Sequence, residues 1–264
     1  MPKITIVIPC YNEETRLPVR EYRRFLFNAA LDIYFVNDGS TDRTIRLLED
    51  LKDQFPLQVK ILSLEKNVGK AEAVRRGILA ANTLDKNDII GFMDADLSTP
   101  FDEVDYFIRE FGNPRIHFVF GSRFSRIGAQ IRRFNHRHYF GRIVATLVSV
   151  YLQIPIYDSQ CGAKFFHVGF ARKLFMEPFV SRWLFDVEIF RRIALSNMKV
   201  QDCALELPLH TWIEKGGSKI SFSDYLKLPL EFYRVFRHYI RKRNAYAIYR
   251  LRWTNLSTLT TIYK

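Results

Sequence analysis

The sequence predicts an α/β fold built on a doubly wound, mostly parallel sheet. Short apolar, β-branched runs alternate with helix-length amphipathic runs along the first 125 residues. Polar clusters follow several of the apolar runs directly. The chain is 264 residues long, 48% hydrophobic and 26% charged, a composition that buries one sizeable core. Such alternation implies a parallel sheet covered on both faces, and right-handed crossovers make it doubly wound.

The runs at 4–9, 33–37, 59–64, 89–94 and 116–121 are bounded by turn residues and read as buried strands. The patterns at 13–30, 41–55, 70–82 and 101–111 read as the helices between them. Ligands of such sheets sit beyond the carboxyl ends of the strands. That is where Tyr11-Asn12-Glu13, Asp38-Gly39-Ser40-Thr41-Asp42, Asn67-Val68-Gly69-Lys70 and Asp94-Ala95-Asp96 fall. Beyond Gly121 an Arg-rich stretch, 123–142, leads into a helix-length apolar run at 143–153 and a loop at 155–164. A strand at 165–168, a helix at 185–194 and a strand at 200–207 follow. In the tail at 225–243, Leu226, Leu230, Tyr233, Phe236 and Ile240 recur near three- and four-residue spacing with basic residues between them, and Pro229 suits its first turn. With no internal repeat and no Pro/Gly linker, the expected organisation is one domain over 1–220 and a basic, amphipathic, membrane-associating tail over 221–264.

Charge is unevenly spread. There are 40 Lys and Arg against 28 Asp and Glu, a net of +12. Residues 115–142 hold seven Arg and no carboxylate, and residues 219–252 hold nine Lys and Arg against Asp224 and Glu231. Two basic, aromatic-rich blocks on a near-neutral body suit a polyanionic surface: an anionic membrane leaflet, or nucleic acid. Three cysteines without CxxC spacing argue against a disulfide framework and a structural zinc site, and fit a reducing compartment. The six histidines have no metal-ligand spacing. The N-terminal apolar run is too short for a signal peptide, and no stretch of 18 uncharged apolar residues occurs, so the chain is expected not to span a membrane.

The most informative element is Asp94-Ala95-Asp96 at the end of an apolar strand. Where the strand breaks into a turn, both carboxylates can converge on one divalent cation, Mg2+ or Mn2+, which takes few protein ligands beside substrate phosphate oxygens. A solvated turn has the same sequence. Asp38 can accept hydrogen bonds from a nucleoside, whereas Ser40, Thr41 and Asp42 also read as plain helix caps. Neither GxGxxG nor GxxxxGK[ST] is present, which argues against a dinucleotide-dependent dehydrogenase and a P-loop NTPase.

Taken together, the segments beginning at Val7, Val36, Asn67 and Asp94 resemble, in order and spacing, the family 2 glycosyltransferases of GT-A fold. Gly121-Ser122-Arg123, residues 158–164, residues 182–188 and residues 212–219 resemble the polyprenyl-phosphate glycosyltransferases among them, most of all those that make dolichyl-phosphate β-glucose. The resemblance implies transfer of a hexose from a nucleotide sugar, UDP-glucose, to a polyprenyl phosphate with inversion at the anomeric carbon. It implies donor contacts from Pro9, Tyr11, Glu13, Val36, Asp38, Lys70, Asp94, Ala95, Asp96 and Ser98, a metal held by Asp94 and Asp96, and sugar- or acceptor-orienting roles for Gln160, Asp186, Glu188 and Trp212. The related mannosyltransferase pattern has Gln where this chain has Ser98 and Arg where it has Ile213, so glucose is expected over mannose.

The chemistry of a phosphate acceptor fits. A phosphate monoester is largely ionised at neutral pH and needs no protein base. The protein must instead supply cations, and Arg123, Arg132, Arg133 and Lys219 are the candidates. A hydroxyl acceptor would need a carboxylate base, for which Asp158 is the obvious choice. Asp186 and Glu188, in an apolar helix, must be paired: they bridge to Arg123 and Lys164, or they orient the sugar. The expected location is the cytoplasmic face of a membrane, held peripherally by 143–153 and the tail, with no nucleic-acid partner.

Overall fold

The computed structural model describes residues 2–28, 31–81, 88–132, 135–196, 198–216 and 222–241. Strands β1 (Ile4–Cys10), β2 (Asp32–Asn37), β3 (Val59–Ser63) and β4 (Ile89–Phe92) alternate with α1 (Val19–Asn28), α2 (Thr44–Gln54) and α3 (Lys70–Ala80). Helix α4 (Val104–Arg109), flanked by 3-10 turns, leads to β5 (Phe118–Ser122). Strand β6 (Gln130–Arg132), helix α5 (Asn135–Leu152), strand β7 (Lys164–His167), α6 (Val168–Phe175) and α7 (Phe185–Leu195) follow. The short α8 (Val200–Cys203), β8 (Ala204–Pro208), β9 (Thr211–Ile213) and α9 (Phe222–Arg241) complete the order.

Seven strands form one sheet in the order β3-β2-β1-β4-β7-β5-β8. All neighbours run parallel except β7, which lies antiparallel between β4 and β5. Strand β7 is short and apolar like its neighbours, and apolar patterning carries no direction. Beside the sheet, β6 and β9 pair in parallel, Ile131 opposite Trp212.

Local chemistry moved several boundaries. Pro18 sets the start of α1: its carbonyl accepts the N–H of Glu21 and Tyr22, while residues 13–17 fold into a turn on the Glu13 carbonyl. Helix α2 starts at Thr44, whose N–H and hydroxyl both donate to the Asp42 carboxylate just before it. The strand expected over 200–207 opens instead with a helical turn, and only residues from Ala204 join the sheet.

Two apolar layers cover the sheet. One holds Val7, Val36, Phe92, Phe118 and Phe166 under α3, α5, α6, α7 and α9; the other holds Ile8, Phe35, Val119 and Phe165 under α1, α2 and α4. Val235 and Tyr239 of α9 are buried in the first layer, so this helix, beyond the expected boundary at 220, is part of the main core. Phe166 stacks on Phe118 at 4.4 Å and packs edge-on against Phe175. Phe166→Ala leaves a cavity at the centre of the sheet and should lower stability by about 3–5 kcal/mol, measured by equilibrium unfolding in urea.

Candidate active site

The parallel register of β1, β2 and β4 brings their carboxyl ends to one edge. The first turn there is built on reciprocal contacts. Thr44 Oγ1 accepts the Glu13 N–H (2.7 Å), Asp42 accepts that of Glu14, and Asn12 Oδ1 accepts that of Thr41. Asp38 is 2% exposed at the end of β2. Its carboxylate accepts the N–H of Val68 (2.7 Å), the N–H of Gly69 (2.9 Å) and the Asn67 amide (3.1 Å). A carboxylate offers about four acceptor positions, so room remains for a donor from a ligand. Burial raises the Asp38 pKa above its ordinary value, although the Val68 and Gly69 N–H groups, Arg182 and Arg76 pull it down. Pro9 and Tyr11 lie half-buried beside this pocket. The Val36 side chain does not: it is wholly buried beneath Gly77 of α3, so the donor contact expected of it is confined to its main chain.

After β4 the chain breaks, with Leu97 at φ 51°, and the two carboxylates separate onto different cations. Lys70, the first residue of α3, pairs with Asp94 (2.5 Å), and Arg16 pairs with Asp96 (2.9 Å). Asp96 also accepts the Ser98 N–H, the Ala95 carbonyl accepts the Tyr22 hydroxyl, and the Ser98 carbonyl accepts the Ile213 N–H. Burial alone would lift the Asp94 pKa, but Lys70, with Arg123 and Lys164 behind it, brings it below the ordinary value. The same attraction raises Lys70 against its burial. The backbone of Gly162 presses on Asp94 so closely that a Cβ there would collide with its carboxylate. Both carboxylates keep exposed surface, and among the described residues no third His, Cys, Asp or Glu joins them. That donor set fits a cation that shares its coordination with substrate oxygens, and does not fit a closed four-ligand zinc site.

Opposite lies the loop of residues 158–164. Asp158 accepts from Arg123 through both oxygens, Nε at 2.6 Å and Nη2 at 2.8 Å, and from the Arg123 N–H. Burial works against the Arg123 cation, but Asp158 raises its pKa well above the ordinary value. Trp212, nearly buried, lies 5.3 Å from the same guanidinium. Glu206 holds the loop from beneath by accepting the N–H groups of Tyr157 and Asp158, and Arg142 donates to the Tyr157 carbonyl. Gln160 Nε2 and Ser159 Oγ are buried without a hydrogen-bond partner among the described residues. Cys161 packs here; burial pushes its thiol up to about 11.

Asp186 is buried and paired with the wholly buried Lys164 at 2.9 Å. Burial raises its pKa, Lys164 and Lys70 oppose that, and Asp94 adds to it. Glu188 faces elsewhere. It accepts from Val180, Ser181 and Tyr239, on the side of α9, so the orienting role expected of it at the site is corrected to a structural one. Arg132 is exposed on β6, its carbonyl held by Glu214. Arg133 and Lys219 lie outside the described residues. Lys164 meets Asp186 as one of the two pairings expected for it, whereas Arg16 and Glu206 belong to the cluster and were not singled out from sequence. Glu206, a lone acid in the apolar run Ala204–Pro208, carries the one signal that could have flagged it.

A buried acid, a carboxylate pair and an arginine thus lie along one α/β sheet edge, an arrangement suited to a phosphorylated donor. The sequence profile described as glycosyl transferase family 2 matches residues 5–175, and the chain belongs to that family of glycosyltransferases. Its relatives include dolichyl-phosphate beta-glucosyltransferases. That of Saccharomyces cerevisiae is 30% identical over 85% of this chain and 71% of its own, and that of Drosophila melanogaster 30% identical over 90% and 76%. That of Trichomonas vaginalis, ALG5D, is 29% identical over 88% and 72%. The fold is shared with glucosyl-3-phosphoglycerate synthase of Mycobacterium tuberculosis, solved with Mn2+, UDP-glucose and phosphoglyceric acid. Its TM-score is 0.63 at 18% identity, over 92% of this chain and 80% of that one.

Proposed function

We propose that this glycosyltransferase moves glucose from UDP-glucose to a polyprenyl phosphate and inverts the anomeric centre. The carrying observation is the state of Asp158. A hydroxyl acceptor needs a carboxylate base, and Asp158, the carboxylate expected to serve as one, has both oxygens bound by Arg123. A phosphate acceptor needs no base. One of its ionised oxygens attacks the anomeric carbon, the bond to the diphosphate oxygen breaks, and the diphosphate leaves with the electron pair. Arg123 suits the incoming phosphate, since a guanidinium neutralises it and fixes its direction. Lys70 suits the leaving diphosphate. Gln160 Nε2 and Ser159 Oγ supply unspent hydrogen-bonding groups for the sugar. Asp94 and Asp96 would hold Mg2+ or Mn2+, which neutralises charge on the leaving group. The names of the relatives support glucose and a dolichyl-type acceptor.

The acceptor's tail stays in a bilayer, since each buried CH2 is worth about 0.8 kcal/mol. Among the described residues no helix is long and apolar enough to cross one. Two helices fit the surface of an anionic cytoplasmic leaflet instead. Ile143, Leu147 and Val150 are exposed along α5, and Leu230, Tyr233, Phe236 and Ile240 along α9, with Arg234 and Arg237 between them. Tyr151 of α5 packs on Phe232 and Phe236 of α9, so the two exposed stripes share one flank.

Incubation with a divalent cation, polyprenyl phosphate and UDP-glucose should yield a lipid-extractable β-linked product. Asp96→Ala should reduce it to background. Product from GDP-mannose instead would change the donor, and transfer only to a soluble sugar would overturn the acceptor. UDP binding should weaken on acidification, with a limb beginning above the ordinary aspartate value of about 3.9. Burial raises the Asp38 pKa, and protonation there removes an acceptor, whereas Asp94, lowered by Lys70, stays ionised through that range. Asp38→Asn should abolish the limb, read by calorimetric titration. The protein should sediment with phosphatidylserine-containing vesicles in a salt-sensitive manner, and Leu147→Glu with Leu230→Glu, both exposed, should release it.

A further inference from the structure

Residues 178–184 form a strap between α6 and α7, held by a dense polar network that sugar transfer itself does not call for. Glu188, wholly buried on α7, accepts the N–H groups of Val180 (3.1 Å) and Ser181 (2.8 Å). Arg192, one turn on, donates to the carbonyls of Leu174 (2.6 Å), Glu177 (2.8 Å) and Pro178 (2.7 Å), and lies over the Phe179 ring. Helix α9 closes the network from outside. The buried Tyr239 hydroxyl bridges Arg192 (2.9 Å) and Glu188 (2.8 Å), and Glu231 accepts the Ser181 hydroxyl (2.7 Å). Ser181 Oγ in turn accepts the N–H groups of Trp183 and Leu184, so the base of the strap is fixed on both sides.

Buried charge held this completely costs desolvation that only good geometry offsets, which favours one defined conformation of the strap. At its tip stands Arg182, exposed, reaching across to the loop before α3. It donates to Asn67 Oδ1 (3.2 Å) and its guanidinium covers Gly69, where a Cβ would lie 2.7 Å from Nε. Gly69 sits at φ 94°, open to glycine and strained for other residues. Asn67, Val68 and Gly69 are the three residues that donate to Asp38. Arg182 thus braces, from outside, the loop that shapes the Asp38 carboxylate.

We infer that Arg182 is a positioning residue of the nucleoside pocket and that α9, through Ser181, Tyr239 and Glu231, holds it in place. The helix with the exposed apolar stripe therefore also sets donor affinity. This rests on Asp38 receiving the nucleoside, so the test separates the two ideas. UDP binding to the full chain is titrated calorimetrically with Mn2+ present, for the wild type and for Asp38→Ala, Arg182→Ala, Arg182→Lys and Glu231→Ala. Arg182→Ala should weaken UDP about tenfold and Arg182→Lys should recover part of the loss. Glu231→Ala, on α9 at a side chain 15% exposed, should weaken it about threefold. Amide exchange at Val68 and Gly69 should speed up in Arg182→Ala while the melting temperature holds.

If the wild type binds UDP and Asp38→Ala loses it, the nucleoside reading stands. Arg182→Ala binding within twofold of wild type then overturns the inference by itself. A loss in Arg182→Ala without one in Glu231→Ala overturns the link to α9. A loss that Arg182→Lys does not mend at all overturns the positioning role in favour of a plain packing one. A wild type without affinity for UDP overturns both.

Discussion

Uncompensated charge at the end of an apolar sheet is the constraint on which the rest of this site depends. Asp94 and Asp96 leave a strand whose four residues are all buried, so each must find a cation close by. The fold supplies cations from three directions: Arg16 from the turn after β1, Lys70 from the start of α3, and Lys164 from β7. Removing a carboxylate here would strand a partly buried cation. Asp94, Lys70, Lys164, Asp186 and Arg123 therefore act as one charged cluster, and single substitutions within it will not add.

The antiparallel strand makes that cluster possible. In register, Lys164 lies opposite both Phe92 of β4 and Phe120 of β5. Running against its neighbours, β7 places the loop that precedes it, residues 158–163, at the same edge where β4 and β5 end. Asp158 thereby meets Arg123 at the end of β5, and the Gly162 backbone meets Asp94 after β4. A parallel strand at this position would deliver its preceding loop to the opposite edge. The meeting of Asp158 with Arg123 at this edge is a consequence of one reversed strand.

Much of this was legible in the residues. The strand-end clusters at 11–13, 38–42, 67–70 and 94–96 fall on one edge as expected, because a parallel sheet leaves their position no freedom. The direction of β7 was not legible, since apolar patterning is the same in either sense. Nor was the division between Asp186 and Glu188. Two residues apart on a helix they diverge by about 200°, so one faces the sheet edge and the other α9. Recognising which faces which needed the neighbours. For a similar reason the side chain of Val36 could not be placed: an apolar residue at a strand end can turn its side chain to a ligand or under a helix, and here it packs against Gly77 of α3.

The two halves of the site solve opposite electrostatic problems. At the proposed donor side negative charge must depart, and the groups there would hold a diphosphate without trapping it: a lysine already shared with Asp94, and carboxylates that favour a cation over an anion. At the proposed acceptor side a second anion must approach the first, and Arg123 is held in one orientation by Asp158, which is itself fixed by Glu206 through the backbone. A flexible lysine at that position would lose side-chain entropy with every phosphate it met. A guanidinium held at two points has already lost it, so more of its attraction is left for the approaching phosphate.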